Sequence, residues 1–409
     1  MADDQLSSTW PHWIATRDRE IRGRLRAGDE DSLLHFLLYG TSFTTRPRAS
    51  ARDVAAVVTT PNEALTPLRQ RVDDFAAALR GPDRGERLAF ARHVLADNGI
   101  DLDKPSDVVR YLESRVRAMA ATTTRTARLL ATNPDPVDQL TAFRDRGLSS
   151  DTSLFVQFGL ERALEALRTR AALGPESVHR VGIVGPGLDF TDKFEGYDFY
   201  PIQTIQPFAV MDSLKRLGLA APGLQVVTFD LSAPVLQHIE GATERARRGE
   251  AYVLSLPRSL ERAWPSELEA FWRKFGDRIG VDAGPLQAPP NAGKVEGRRV
   301  RVQPDVVLRV ATQDLNIVLE RANLNAIPRF DLIVATNVFL YYDVFEQALA
   351  ASNTAAMLAP NGLLLTSNRL FELPGGPLEP TATTSVTYLQ IPGVGETGDQ
   401  FVAYRLSGR

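Results

Sequence analysis

The sequence predicts an α/β protein in which a parallel sheet, ended by an antiparallel hairpin, follows an all-α N-terminal domain. Three observations carry this. After Arg180 short apolar runs alternate with helical patterns; the first of those runs breaks at Gly185-Pro186-Gly187; and no strand pattern interrupts the apolar helical stripes of residues 1–172. Short unbroken apolar runs are what strands buried on both faces need, because helices cover each side of a parallel sheet.

Composition sets the outer limits. The chain has 409 residues, 44% hydrophobic and 24% charged, with a formal net charge of -3, which is ordinary globular composition and enough chain for about two domains. This charge balance implies neither general nucleic-acid binding nor attraction to an anionic membrane. The chain has no cysteine, which rules out disulfides, thiolate metal sites and a cysteine nucleophile. Its 5 histidines (His12, His35, His93, His179, His238) are scattered away from metal-ligand spacing, so no metal is expected. The first residues have no basic start followed by an apolar core, and no segment approaches the ~20 apolar residues of a membrane span, so a cytoplasmic location is expected.

Several helices of the N-terminal domain carry their own boundaries. Asp29 to Gly40 holds Leu33, Leu34, Leu37 and Leu38, with Gly40 placed to terminate. Thr66 is a cap and Pro67 a first helical residue, with Leu68, Val72, Phe75 and Leu79 on one face before Gly81-Pro82. A third helix follows Pro105, with Val109, Leu112, Val116 and Met119 as its stripe. Asn133-Pro134-Asp135-Pro136 reads as a turn, and 151–168 as a further amphipathic helix. The segment 37–46, LLYGTSFTTR, reads as a polar connection anchored by two aromatics, with a ligand cover as the other reading.

In the second part, from 173 on, strands are expected at 181–184, 225–229, 306–310, 330–336 and 363–366. Asp343 caps a helix with Glu346 three positions on, and Pro360-Asn361-Gly362 follows that helix. Alternating residues at 385–391 and 400–406 predict the terminal hairpin. Residues 257–297, rich in proline and glycine, fit no strand and read as an inserted lid.

The strand order and hairpin resemble the Rossmann-like class I S-adenosylmethionine-dependent methyltransferases. Locally the chain is similar to the chemotaxis-receptor methyltransferase type, through Phe330-Asp331-Leu332-Ile333, then Asn337-Val338-Phe339-Leu340-Tyr341-Tyr342-Asp343, Gln347 and Leu358-Ala359-Pro360-Asn361-Gly362. Val226-Val227-Thr228-Phe229-Asp230-Leu231 is similar to the second-strand motif that ends in an acid. The resemblance implies S-adenosylmethionine as cofactor, with S-adenosylhomocysteine as product. It implies that Gly185 and Gly187 line the methionine and ribose part, that Asp230 beside Leu231 accepts both ribose hydroxyls, and that Asp314 and the Leu315 N–H take the adenine. Asn337 would lie near the sulfonium. The chain departs from the family at Ile183, where an acid is usual, and at Asp189, which replaces a third glycine and restores a carboxylate. Asp230 stands 45 positions after Gly185, against roughly 20 in the dinucleotide pattern, so the intervening run is expected to form an elaborated loop.

That run supplies the candidates for substrate contact: Asp189, Asp192, Glu195, Tyr197, Asp198, Tyr200, Gln203 and Gln206, joined by Tyr341 and Tyr342. Asp192 or Asp198 is the candidate base, and Tyr200 joins them as a candidate catalytic group. Solvated-loop and packing roles stand beside each. The expected activity is methyl transfer to an acceptor, a small molecule in preference to a protein carboxylate. A non-catalytic cofactor-binding or interaction module that keeps the fold is the alternative, and a nicotinamide oxidoreductase ranks below both, because no Tyr-x-x-x-Lys pair follows Asn337.

Overall fold

A computed structural model of the chain describes residues 3–50, 53–54, 65–82, 85–132, 137, 142–143, 147–149, 151–192, 195–371, 375–391 and 395–408. The expected turn at Asn133 to Pro136 lies outside the described residues. The N-terminal helices are α1 (Asp3–Tyr39), α2 (Leu65–Arg80), α3 (Glu86–Asp97) and α4 (Pro105–Ala131). They share a core of Leu33, Leu37, Phe75, Leu95 and Leu112. The helix expected from Asp29 is only the end of α1. Its earlier turns carry few apolar residues and are held by side-chain pairs one turn apart, Arg17 with Glu20 and Arg22 with Asp18, so no apolar stripe announces them. At Gly40, whose N–H donates to the Phe36 carbonyl at 2.8 Å, a Cβ would meet Phe36, which explains the stop.

Next come α5 (Leu154–Thr169) and the strand β1 (Val178–Val184), then α6 (Gln206–Arg216), β2 (Ala220–Asp230) and α7 (Ala233–Arg247). The chain continues through β3 (Tyr252–Ser259), α8 (Ser266–Lys274), β4 (Gly280–Pro285) and β5 (Val295–Val302). It ends with α9 (Pro304–Val307), β6 (Val310–Asp314), β7 (Phe330–Ala335), α10 (Val344–Met357), β8 (Leu358–Thr366), β9 (Leu378–Ile391) and β10 (Gly395–Leu406). The main sheet has the order β6-β2-β1-β7-β8-β10-β9. β6, β2, β1, β7 and β8 run parallel, and β10 pairs antiparallel with both β8 and β9. This is the expected α/β, Rossmann-like sheet with its C-terminal hairpin.

Both faces are covered, as the unbroken apolar runs require. Leu332 and Val334 of β7 face a core shared with α5, α6 and α7, while Phe330 and Ile333 face the core that takes in Ile21 of α1 and Met357 of α10. Asp343 caps α10, accepting from the Glu346 N–H at 2.8 Å, with Glu346 reaching back to the Asp343 N–H at 3.0 Å.

Two expectations need correction. The strand placed at 306–310 starts only at Val310, because Pro304 seeds a short helix and the strand pairs Val226 with Val310 through Asp230 with Asp314. The stretch 257–297 is no loose lid. It forms, with its flanks, a three-stranded antiparallel sheet in the order β3-β5-β4, packed through Trp272, whose indole N–H donates to the Leu256 carbonyl at 3.2 Å.

Candidate functional site

The sheet reverses direction of growth between β1 and β7, since β2 and β6 lie on one side of β1 and β7 and β8 on the other. Such a switch point opens a crevice at the carboxyl ends of the strands, where open α/β sheets bind ligands. Three residues with positive φ edge it: Gly185 at 66°, Gly187 at 64° and Asn337 at 56°. A Cβ on Gly185 would sit 2.8 Å from Val338, so the turn needs glycine for both conformation and space. Asn337 tolerates the left-handed region as few side chains do. Ser367 fixes it, its hydroxyl accepting from the Asn337 N–H at 2.7 Å and donating to Oδ1 at 3.0 Å. Nδ2 is the atom that Ser367 leaves unengaged.

Asp230 ends β2 and lines the crevice. Burial pushes its carboxyl up to about 6; the backbone N–H groups of Ser232, Leu231 and Gly187 offset part of that, and the charge of Asp314 adds to it. The Ser232 N–H lies 2.8 Å from Oδ1. A carboxylate so placed accepts paired O–H donors and rejects anions.

Gly185, Gly187, Asp230, Leu231, Leu315 and Asn337 all line one cavity of about 80 Å³. Its far wall, Leu25 of α1 with Leu148, Ser149, Asp151 and Thr152, comes from residues that sequence reasoning left out of the site. Charged pairs hold α1 there. Arg22 donates to Asp314 at 2.8 and 3.2 Å, Arg24 pairs with Glu346, and Asn316 donates to Asp18 at 2.8 Å.

No family model matches the chain, and no curated protein matches it. Among solved structures it is similar to the N-methyltransferase NodS from Bradyrhizobium japonicum, at 12% identity over 61% of this chain and 97% of that one, with a TM-score of 0.29. It is also similar to TrmN from Thermus thermophilus, at 12% identity over 62% and 52% of the two chains, with a TM-score of 0.28. A TehB-like SAM-dependent methyltransferase from Corynebacterium glutamicum matches at 12% identity over 70% and 96%, with a TM-score of 0.26. The strand order itself decides the fold. It is that of the class I methyltransferases.

The remaining site candidates stand elsewhere. Asp314 lies level with Asp230 in the β2–β6 register but turns its half-exposed carboxylate to Arg22, outside the cavity lining. Asp189 is buried, accepts from Tyr200 at 3.1 Å and Gln203 at 2.8 Å, and is pushed up to about 7 by burial and then by the charge of Asp192. It lines, with Asp192, Glu195 and Tyr200, a separate void of about 10 Å³ against Trp264 and Leu256. That volume holds at most one water, so Asp192 and Tyr200 meet no acceptor there. Asp192 also accepts from the Glu195 N–H.

Asp198 is saturated. Thr41 donates its N–H at 3.0 Å and its hydroxyl at 2.7 Å, and Ser42 does the same at 3.0 and 2.7 Å. It anchors the 37–46 segment and is no base. That segment is a polar connection: buried Arg71 donates to the carbonyls of Leu37, Gly40, Arg46 and Pro47. Gln206 and Tyr342 stay close to the crevice, Gln206 through a 2.6 Å bond to Thr336 and Tyr342 in the lining beside Tyr341.

Proposed function

We propose that the protein is an S-adenosylmethionine-dependent methyltransferase acting on a small-molecule acceptor. The observation that carries the reading is Asp230, a desolvated carboxylate at the end of β2, facing the Gly185 to Gly187 turn and Asn337 in one crevice at the switch point. The residues fit the group. Asp230 would accept the ribose hydroxyls, Gly185 and Gly187 would leave room for the ribose and methionine part, and Leu315 with Ile317 would supply an apolar wall to the adenine. When bound, the cofactor supplies a methyl group on a sulfonium, a leaving group already activated by its charge. The chain then has to orient the acceptor, exclude water and take a proton where the acceptor carries one. Leu25, Leu148 and the Tyr341–Tyr342 pair supply apolar and aromatic lining to the crevice.

Methyltransferases among the similar structures have been crystallised with S-adenosylhomocysteine, sinefungin and S-adenosylmethionine, which agrees with this choice of ligand. The test is calorimetric titration with S-adenosylhomocysteine, with NAD as control and Asp230→Ala as second protein. Saturable binding that the variant loses supports the reading; binding of NAD in preference overturns it. A second reading, the same fold without turnover, is favoured by Ile183 and by the narrowness of the crevice, about 80 Å³ against roughly 300–1,000 Å³ for small-molecule sites. Saturable S-adenosylhomocysteine binding without methylated product from any acceptor would favour that reading.

A further inference from the structure

A second, larger cavity of about 330 Å³ lies between the N-terminal helices and the sheet. It adjoins the crevice directly. Asp151 lines both spaces, and the consecutive pairs Gly187-Leu188 and Leu231-Ser232 place one residue in each. Its volume lies within the range of sites that enclose small ligands.

The walls have two kinds of chemistry. Phe90 and Phe190, their ring centroids 4.5 Å apart, join Leu188, Ile202 and Pro234 in an apolar lining. Asp29, Asp151 and Glu86 bring carboxylates, and no lysine or arginine stands among the described lining residues. His238 is the one basic side chain among those lining residues. The Tyr252 hydroxyl accepts from the Thr204 N–H at 2.8 Å and is hydrogen-bonded to His238 Nε2 at 2.7 Å, and burial lowers the imidazole below its ordinary value. Glu86 already accepts from the Ile202 N–H at 3.0 Å, and Asp151 from the Ser32 hydroxyl at 2.9 Å. Asp29, one turn from Ser32 on α1, is pushed up to about 6 by burial and by the charge of Asp151, with His93 offsetting part of the rise. Asp29 and Asp151, both half-buried at one wall, attract a cation placed between them. Aromatic faces at the same place favour that cation further.

We propose that this cavity is the acceptor site and that it takes a small amine with an aryl-sized apolar body, the ammonium held by Asp29 and Asp151 and the body against Phe90 and Phe190. This rests on the methyltransferase reading for its role and on the cavity alone for its binding chemistry. Anionic acceptors are repelled by the same carboxylates, and neutral ones gain nothing from their charge.

The experiment titrates the full chain, with and without saturating S-adenosylhomocysteine, with 2-phenylethylamine, 3-phenylpropionate and 2-phenylethanol. The amine is expected to bind saturably and the anion and alcohol at least about tenfold more weakly, since one buried charge-assisted contact is worth that much. Asp29→Asn is expected to weaken the amine by about tenfold while S-adenosylhomocysteine affinity stays within about twofold. Gln237→Lys, at an exposed position of α7 on the cavity rim, keeps the test decisive should Asp29→Asn fold poorly, because a cation placed there should abolish amine binding. Equal binding of amine and anion, or amine binding indifferent to both substitutions, overturns the proposal. Loss of S-adenosylhomocysteine binding alone overturns the methyltransferase reading and leaves the amine titration to judge the cavity.

Discussion

The loop after β1 and the end of β2 both bring carboxylates to the same edge of the sheet, and they use them in opposite ways. Asp230 lines a cavity and is met by backbone N–H groups. Asp198 is enclosed by Thr41 and Ser42, and Asp189 by Tyr200 and Gln203. The four donors around Asp198 leave it nothing for a ligand, and Asp189 faces a void too small to hold one. The acid-rich, tyrosine-rich loop therefore joins parts of the molecule. Arg87 of α3 donates to the Phe190 and Tyr200 carbonyls, Gln203 exchanges hydrogen bonds with the Ser255 backbone of β3, and Tyr197 and Tyr200 pack on Ala292.

Two substitutions set the ends of this contrast. On the proposed reading Asp230→Ala removes the acceptor of two ribose hydroxyls, each charge-assisted bond being worth about 1.5–3 kcal/mol. The expected result is at least a hundredfold loss of S-adenosylhomocysteine affinity by calorimetry in protein that still folds. Asp198→Ala should do the reverse. It leaves the N–H and hydroxyl groups of Thr41 and Ser42 buried without an acceptor, at a cost on the order of 3–5 kcal/mol in urea unfolding, while the folded fraction binds the ligand as before. If Asp198→Ala instead abolished binding without lowering stability, the contrast would be wrong.

The buried acid Asp189 sharpens it through pH. Its carboxyl ionises near 7 in the folded chain, pushed up first by burial, and near its ordinary value when unfolded. Between those values the folded state holds a proton that the unfolded state has lost, so this group's contribution to stability falls as pH rises from about 4 to 7 and then levels. From pH 5 to 8 the native protein should lose on the order of 2–3 kcal/mol more than Asp189→Asn. Parallel stability profiles for the two proteins would show that Asp189 is already ionised in the fold.

How much of this was legible depended on where the signal sat. Asp230 and the glycine turn announced themselves because strand ends and φ-restricted turns are local, and the Asp343–Glu346 capping box was readable for the same reason. The insert was missed because Pro257 and its glycines mask a strand pattern, although Pro257 pairs with Gly297 across β3 and β5. The crevice's outer wall could not be read at all. The segment 16–30, dense in arginines and acids, has the composition of a solvated helix, and only the tertiary partners of Arg22 and Arg24 reveal that it lies across the sheet edge. The same holds for Asp151, which reads as the start of a helix and lines two cavities.

The smallest expected effect concerns that wall. Arg22 and Asp314 form a half-exposed pair, 32% and 53% accessible, of the kind worth at most about 1 kcal/mol. Because the pair ties α1 across the crevice, Arg22→Ala should make the crevice easier to open and speed S-adenosylhomocysteine association by no more than about fivefold. Salt should erase the difference, since ~0.5 M salt screens an exposed pair in the native protein as the substitution does outright. Stopped-flow association at low and high salt reads both at once. A slower association in the variant would mean that Arg22 helps the ligand in, and that α1 belongs to the binding surface instead of barring it.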